Sequence, residues 1–135
     1  MSVAPLALCL VLGARMVTID TPRFTLVWTH SVAKTEWQED YALRDGALVL
    51  TEARIRGTGA GMEPPPDARW EGGWWHYVPK LAPLPELRLA LSPYTADYRL
   101  CWQQHCRALA ALFGAEGEIG TVLARPCPGK AATAH

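Results

Sequence analysis

The chain has 135 residues, 50% of them hydrophobic and 19% charged, and its thirteen basic and thirteen acidic side chains give a formal net charge of zero. This length fits one domain with a single core, and the apolar content excludes a wholly disordered chain. A balanced charge provides no overall field to hold nucleic acid or an anionic membrane surface, so neither is predicted as a partner.

The apolar N-terminal stretch, residues 3–14, is predicted to be part of the fold. It lacks the basic residues that open a signal peptide, and it is too short to cross a hydrocarbon layer of ~30 Å. Two strands are predicted here, Leu6 to Leu12 and Arg15 to Ile19, joined by a turn that contains Gly13. A truncated signal or anchor segment is the alternative. Localisation is therefore left open: cytoplasmic by default, periplasmic or membrane-associated if the start is truncated. The chain is not predicted to span a membrane itself.

Turn residues recur about every eight to twelve positions, which is typical of β-sandwiches and barrels. Further strands are predicted at 24–31, 35–43, 47–57, 70–78, 86–91, 98–102 and 118–123, with a bulge near Thr51. Residues 107–113 have helical character and end at Gly114, which suits a helix C-terminus. The predicted fold is mainly β: a single small antiparallel β-sandwich or barrel-like domain, residues 1–127, with one short helix near the C-terminus. Residues 128–135 are predicted to be a disordered tail.

Two of these strands show a clear two-residue alternation. The even-numbered residues of 24–30 share one face of the first strand, and the odd-numbered residues of 37–43 share one face of the second. If a hairpin joins the two strands, Trp28 lies opposite Glu39 and both apolar faces point the same way. His30 and Glu39 then lie diagonally across the hairpin, within hydrogen-bonding reach.

The four cysteines form an even set. Cys101 and Cys106 suit the end of a β-hairpin, where a disulfide closing so short a loop adds about 2 kcal/mol. Cys9 and Cys127, near the two ends of the chain, are then candidates for a second bridge. Four reduced and mostly buried thiols are the alternative. The spacing matches no known zinc motif, so no metal site is predicted.

Two polar blocks, 30–37 and 56–65, hold most of the residues that could carry a site, because loops between strands commonly bear binding groups. The candidates for binding or interaction are His30, Ser31, Lys34, Glu36, Glu39, Arg54, Arg56, Gly57, Gly59, Gly61 and Glu63.

His30 with Glu39 could act as acid and base if buried together, or could be a structural pair that fixes strand register. The glycine-rich loop opens no helix and lacks the Gly-Lys-Ser/Thr of a phosphate-binding loop, so it is either an anion nest or a plain strand-end loop. An aromatic band at 70–77 could stack a ring or fill a partner's pocket, although packing is its ordinary role.

The polar blocks and their flanks resemble a known family. The similar segments are 24–41 (FTLVWTHSVAKTEWQEDY), 57–65 (GTGAGMEPP), 74–75 (WW), 84–87 (LPEL), 98–101 (YRLC) with Cys106, and 125–127 (RPC). They resemble the bacterial proteins grouped as domain of unknown function 1850 (DUF1850), over about Leu8 to Cys127. His30, Ser31, Lys34 and Glu36 match the family pattern, whereas Ala33 stands where members usually carry glutamate.

The resemblance implies an accessory protein of solute uptake. Members of the family are often encoded beside tripartite ATP-independent periplasmic (TRAP) transporters of the TAXI type, whose substrates are typically organic acids. The resemblance implies an accessory or interaction role that involves binding rather than catalysis. The implied partner is the permease or its binding protein. Lys34, Arg54 or Arg56 would meet a carboxylate of that partner or of a small organic acid.

Three alternatives stay open: a domain that binds a small organic acid, a small acid/base enzyme using His30 with Glu39 or Glu36, and a purely structural domain. No catalytic residue, cofactor or metal is assigned.

Overall fold

The computed structural model describes residues 6–29, 35–56 and 65–129. These residues form eleven strands and one short helix, in chain order β1 (Leu6–Leu12), β2 (Arg15–Ile19), β3 (Arg23–Thr29), β4 (Glu36–Arg44), β5 (Ala47–Arg56), β6 (Arg69–Glu71), β7 (Trp74–Tyr77), β8 (Leu87–Leu91), β9 (Arg99–Trp102), β10 (His105–Ala108), α1 (Leu109–Phe113) and β11 (Gly120–Pro128). No helix in this part of the chain is both long enough and apolar enough to cross a membrane.

The strands pair into two antiparallel sheets. The small sheet has the order β2-β1-β11-β8, and the large sheet has the order β10-β9-β3-β4-β5-β7-β6. The predicted mainly β, antiparallel class with one short helix near the C-terminus is therefore confirmed, and the two-sheet alternative is the one observed. The N-terminal strand pair was predicted with the same bounds, 6–12 and 15–19. Its turn has Gly13 at φ 59°, a conformation that glycine adopts without steric cost.

One hydrophobic core joins the two sheets. The small sheet contributes alternate residues of β1, including the fully buried Leu8 and Leu10, and the large sheet contributes Phe24, Tyr41 and Leu48. Removing a leucine side chain of this kind from water is worth roughly 2 kcal/mol. The core lies over the end of β3, β4 and β5 that holds Phe24, Tyr41 and Leu48. The other end of these strands holds Trp28, Trp37 and Ile55.

The β3–β4 hairpin has a register two residues away from the predicted one. Trp28 lies opposite Trp37, and Glu39 lies opposite Leu26 rather than opposite Trp28. Because the shift is two residues, every side chain keeps its predicted face, and the shared apolar face is confirmed. The predicted bulge is also confirmed, since the pairing of β4 with β5 passes from Asp40–Glu52 to Tyr41–Leu50 and skips Thr51.

The helix is shorter than predicted. His105–Ala108 forms β10, a strand paired with β9, so the helix begins at Leu109 and not at Arg107. The pairing of β9 with β10 overrides the local helical pattern at these residues. Gly114 ends the helix at φ 62°, as predicted for that position. The last strand, predicted at 118–123, lies further along at Gly120–Pro128, and its final residue falls one position beyond the predicted domain end.

Both candidate disulfides are present. Cys9 is bonded to Cys127, with Cα atoms 5.8 Å apart, and Cys101 to Cys106, with Cα atoms 4.0 Å apart. The first ties β1 to β11 within the small sheet, and the second crosses the β9–β10 hairpin at the rim of the large sheet. The alternative of four reduced thiols does not describe this structure, because all four sulfur atoms are bonded.

Candidate functional site

The two faces of the large sheet separate the described candidates. Glu39 points to the inner face, the one that carries the core, whereas Glu36, Arg54 and Arg56 alternate to the outer face. The remaining candidates lie outside the described residues: His30, Ser31, Lys34, Gly57, Gly59, Gly61 and Glu63. The strands that flank both polar blocks meet at one end of the sheet, because β3 ends, β4 begins and β5 ends there.

Arg54 is the centre of an ion-pair network on the outer face. Its guanidinium holds Asp40 through two bonds, with Nη1–Oδ2 at 2.7 Å and Nη2–Oδ1 at 2.8 Å. Nε donates to Gln38 at 3.0 Å, and Nη1 also donates to Glu52 at 3.1 Å. A guanidinium engaged in this planar way is fixed in place by its neighbours. Arg54 therefore has four of its five N–H donors engaged within the sheet and is poorly placed to receive an external carboxylate.

The same network sets the ionisation of Asp40. Burial by itself would raise the pKa of this carboxyl, but hydrogen bonds from Arg54 and Thr25 and the charge of Arg54 hold the pKa below its usual value. Glu52 extends the network sideways through His76, whose Nδ1 lies 3.1 Å from Glu52 Oε1. The outer face thus carries a connected network of hydrogen bonds and ion pairs across β3, β4, β5 and β7.

A concave region of about 570 Å³ lies on the large sheet. Its lining residues come from β3, β4, β5 and the β9–β10 hairpin: Arg23, Phe24, Thr25, Asp40, Tyr41, Ala42, Arg44, Thr51, Arg54, Cys101, Trp102, Gln103 and Gln104. The charged groups of its wall include the paired Asp40 and Arg54. The turn at Gln103 and Gln104, both of which have positive φ, also lines it.

The inner face carries a tryptophan row, defined here as Trp28, Trp37, Ile55, Trp75 and Trp70. These residues are successive cross-strand neighbours on β3, β4, β5, β7 and β6. Trp28 stacks on Trp37 with ring centroids 5.0 Å apart, and Trp70 meets Trp75 edge to face at 5.2 Å. Trp28 packs against the core, whereas Trp70, at the edge of the sheet, is 52% exposed. The Nε1 atom of Trp75 is buried and has no hydrogen-bond partner within the described chain.

Glu39 lies in the next row of the inner face, between Leu26 and Ala53. Its Oε1 atom accepts hydrogen bonds from Trp28 Nε1 at 3.2 Å and from the Tyr41 hydroxyl at 3.4 Å. Burial raises the pKa of the Glu39 carboxyl, and these two hydrogen bonds only partly oppose the rise.

The negative charge of this carboxylate affects the pKa of three tyrosines. The pKa of Tyr41, Tyr77 and Tyr98 is raised, in each case first by burial and then by the negative charge of Glu39. Glu39 is therefore a part-buried carboxylate held among aromatic side chains. Such a group can accept or release a proton near neutral pH more readily than an exposed glutamate, and it can attract a cation.

Comparison with known proteins supports the family resemblance. The family described as Domain of unknown function (DUF1850) matches residues 24–109. The chain belongs to this family. The matched region begins in β3 and ends where α1 starts, so it contains most of the large sheet, including Glu39, Arg54 and the tryptophan row. No curated protein and no solved structure matches the chain.

The sequence identified Glu39 and the aromatic band of this family member but missed how they combine. Trp28 and Trp37 stand apart from 70–77 in sequence, and they join that band only because β5 and β7 pair side by side. The two-residue alternation around Trp28 and Trp37 was a usable signal, since it placed both rings on the face of Glu39. The order of strands needed to complete the row was not encoded in any local pattern.

Proposed function

We propose that this DUF1850 protein is a non-enzymatic accessory or interaction protein of a TAXI-type TRAP solute uptake system, in contact with the permease or its binding protein. The family context described above motivates the choice of partner. One observation carries the proposal of an interaction surface: the tryptophan row leads to an exposed ring at the sheet edge rather than ending inside the core.

The composition of this surface is that of a protein interface. Tryptophan and arginine are enriched among residues that dominate binding energy between proteins, and contiguous exposed apolar groups commonly mark contact sites. Arg56 is exposed on the outer face of the same sheet, where it lies over Trp74 with its guanidinium carbon 5.5 Å from the ring centroid. Lys34, which lies between β3 and β4 in the sequence, is a proposed further contact. Arg54 is left out of this surface because Asp40, Gln38 and Glu52 engage four of its five N–H donors.

Co-purification tests the proposal. The protein is expressed in its native host beside a tagged TAXI-type permease, as wild type and as the double variant Trp70→Ala/Arg56→Ala. We expect the wild type to come down with the permease and the variant to lose most of that recovery, because an aromatic and a cationic anchor are removed together.

The matched control is Tyr94→Ala/Arg107→Ala. It also removes one exposed aromatic and one exposed arginine, Tyr94 being 86% exposed, but away from the tryptophan row. The control should be recovered like the wild type. Equal recovery of both variants would reject this surface, and absence of the wild type from the permease fraction would reject the transporter association.

The second candidate function is acid/base catalysis by His30 and Glu39, or the binding of a small organic acid near them. The raised pKa of Glu39 favours it, because a carboxyl that titrates closer to neutral pH suits proton transfer. The expected contact of His30 with Glu39 depended on the register that is not observed. A pH titration of the histidine ring signals by NMR, with and without small organic acids, tests this candidate. It fails if the His30 signal titrates as in an unfolded peptide and ignores every acid.

A further inference from the structure

We propose that Glu39 and the aromatic side chains around it form a binding site for a small organic cation that carries an alkylated ammonium group. The site lies on the inner face of the large sheet, where Trp28 and Tyr41 donate hydrogen bonds to the carboxylate and Tyr77 lies on the far side of Ala53. The inference does not rest on the transporter association, because it concerns a small ligand and residues of this chain alone.

Charge favours a cation at this position. Glu39 has no ion pair with any described residue, in contrast to Asp40 and Glu52, which both pair with Arg54. Both of its hydrogen bonds end on Oε1, so Oε2 accepts none from the described residues. Burying an ionised carboxylate without a counter-ion is costly, and a bound cation removes that cost.

The nearby aromatic rings also favour a cation. The faces of tryptophan and tyrosine attract cations through the ring quadrupole, with a strength of about 0.5–2 kcal/mol per ring depending on exposure. Hydrogen bonds from Trp28 Nε1 and the Tyr41 hydroxyl hold the edges of these two rings against Glu39. One face of Trp28 stacks on Trp37 and one face of Tyr41 on Phe24, so each ring has one other face. Tyr77 is separated from Glu39 by the short side chain of Ala53 on the intervening strand. A carboxylate among aromatic rings is the arrangement that recognises alkylated ammonium groups.

The number of N–H donors determines which type of cation suits the site. A primary ammonium brings three N–H donors, and each needs an acceptor once it leaves water. The surroundings of Glu39 are mainly aromatic, with one carboxylate oxygen unused. A quaternary or tertiary ammonium carries no more than one N–H donor and is covered by methyl groups, so ring faces and a single negative charge satisfy it.

Titration calorimetry with matched probes tests the inference. Choline is the cationic probe, 3,3-dimethylbutan-1-ol is its uncharged analogue of the same shape, and ethanolamine is the primary amine. We expect wild-type protein to bind choline at least about tenfold more tightly than either other probe. Equal binding of the uncharged analogue, or no detectable choline binding at millimolar concentrations, would overturn the proposal.

Variants locate the site. Glu39→Gln should weaken choline binding about tenfold or more and leave the affinity for the uncharged analogue unchanged, because it removes the charge and keeps the shape. Glu52→Gln, which removes the same charge from the opposite face of the same sheet, should bind choline like the wild type. Tyr77→Leu provides a second variant that removes a ring and no charge, and it too should weaken choline binding. Unaltered binding in both Glu39→Gln and Tyr77→Leu would place the cation elsewhere.

Discussion

Glu39 and Asp40 are adjacent in sequence, yet the sheet gives them opposite environments. Asp40 faces outward and is paired with Arg54, which keeps its pKa low, whereas Glu39 faces inward among aromatic rings, and burial raises its pKa. A paired carboxylate stabilises the fold when ionised, while an unpaired, part-buried one is tolerated at some cost. The presence of a carboxylate at the costly position is what points to a ligand.

Glu39→Gln should therefore stabilise the protein at neutral pH, by up to about 1 kcal/mol, although it is expected to lose cation binding. Because the folded pKa of Glu39 is raised, its ionisation disfavours the folded state above that pKa. The advantage of the variant should disappear as the pH falls below the pKa of the unfolded chain. Urea unfolding between pH 3 and 8 measures this. A variant that is less stable than wild type at pH 8 would contradict the argument.

Asp40→Asn is the control with the opposite sign. It should lower the free energy of unfolding by about 2 kcal/mol at neutral pH, because charge-assisted hydrogen bonds to Arg54 are lost. The folded pKa of Asp40 is lowered, so the wild type's advantage is present above the unfolded pKa and is lost as the pH falls through the folded pKa. The two stability differences should therefore have opposite signs at neutral pH and both shrink in acid.

At the scale of elements, alternation predicted which face each residue of β3 and β4 occupies, but not their register. A slip of two residues preserves every face, so the pattern of apolar residues cannot distinguish Trp28 opposite Trp37 from Trp28 opposite Glu39. Likewise, the partner of Arg54 depends on which strands lie side by side. Both facts come from tertiary pairing, which a single strand's sequence does not contain.

The two disulfides constrain elements to different extents. Cys9–Cys127 closes 118 residues and joins β1 to β11, whereas Cys101–Cys106 closes five and spans one hairpin. If loop-closure entropy sets the contribution, replacing both cysteines of the long bridge by alanine should lower the free energy of unfolding by about 5 kcal/mol. The same change at the short bridge should lower it by about 2 kcal/mol. Urea unfolding of the two oxidised double variants gives the comparison. Equal losses would show that strain or unfolded-state structure, rather than loop length, sets the contribution.

At the scale of the whole molecule, the two sheets are unequal, and β3, β4 and β5 serve two purposes. One end of these strands carries Phe24, Tyr41 and Leu48 of the core, and the other end carries Trp28, Trp37 and Ile55 of the tryptophan row. The aromatic surface is thus continuous with the core through the same hydrogen-bonded strands. A binding surface built on paired strands is held more rigidly than one built on loops.

This continuity predicts that the molecule unfolds as one unit. Tryptophan fluorescence, which follows mainly the tryptophan row, and far-ultraviolet circular dichroism, which follows both sheets, should give coincident urea transitions. Leu48→Ala truncates a fully buried core residue on β5 and creates a cavity between the sheets. It should lower the free energy of unfolding measured by both probes by about 3 kcal/mol. Trp70→Ala, at the exposed edge, should lower it far less. If fluorescence changed before circular dichroism, or if Leu48→Ala moved the dichroism alone, the aromatic end of the large sheet would be a separately folding unit, and its rings could not be held in place by the core.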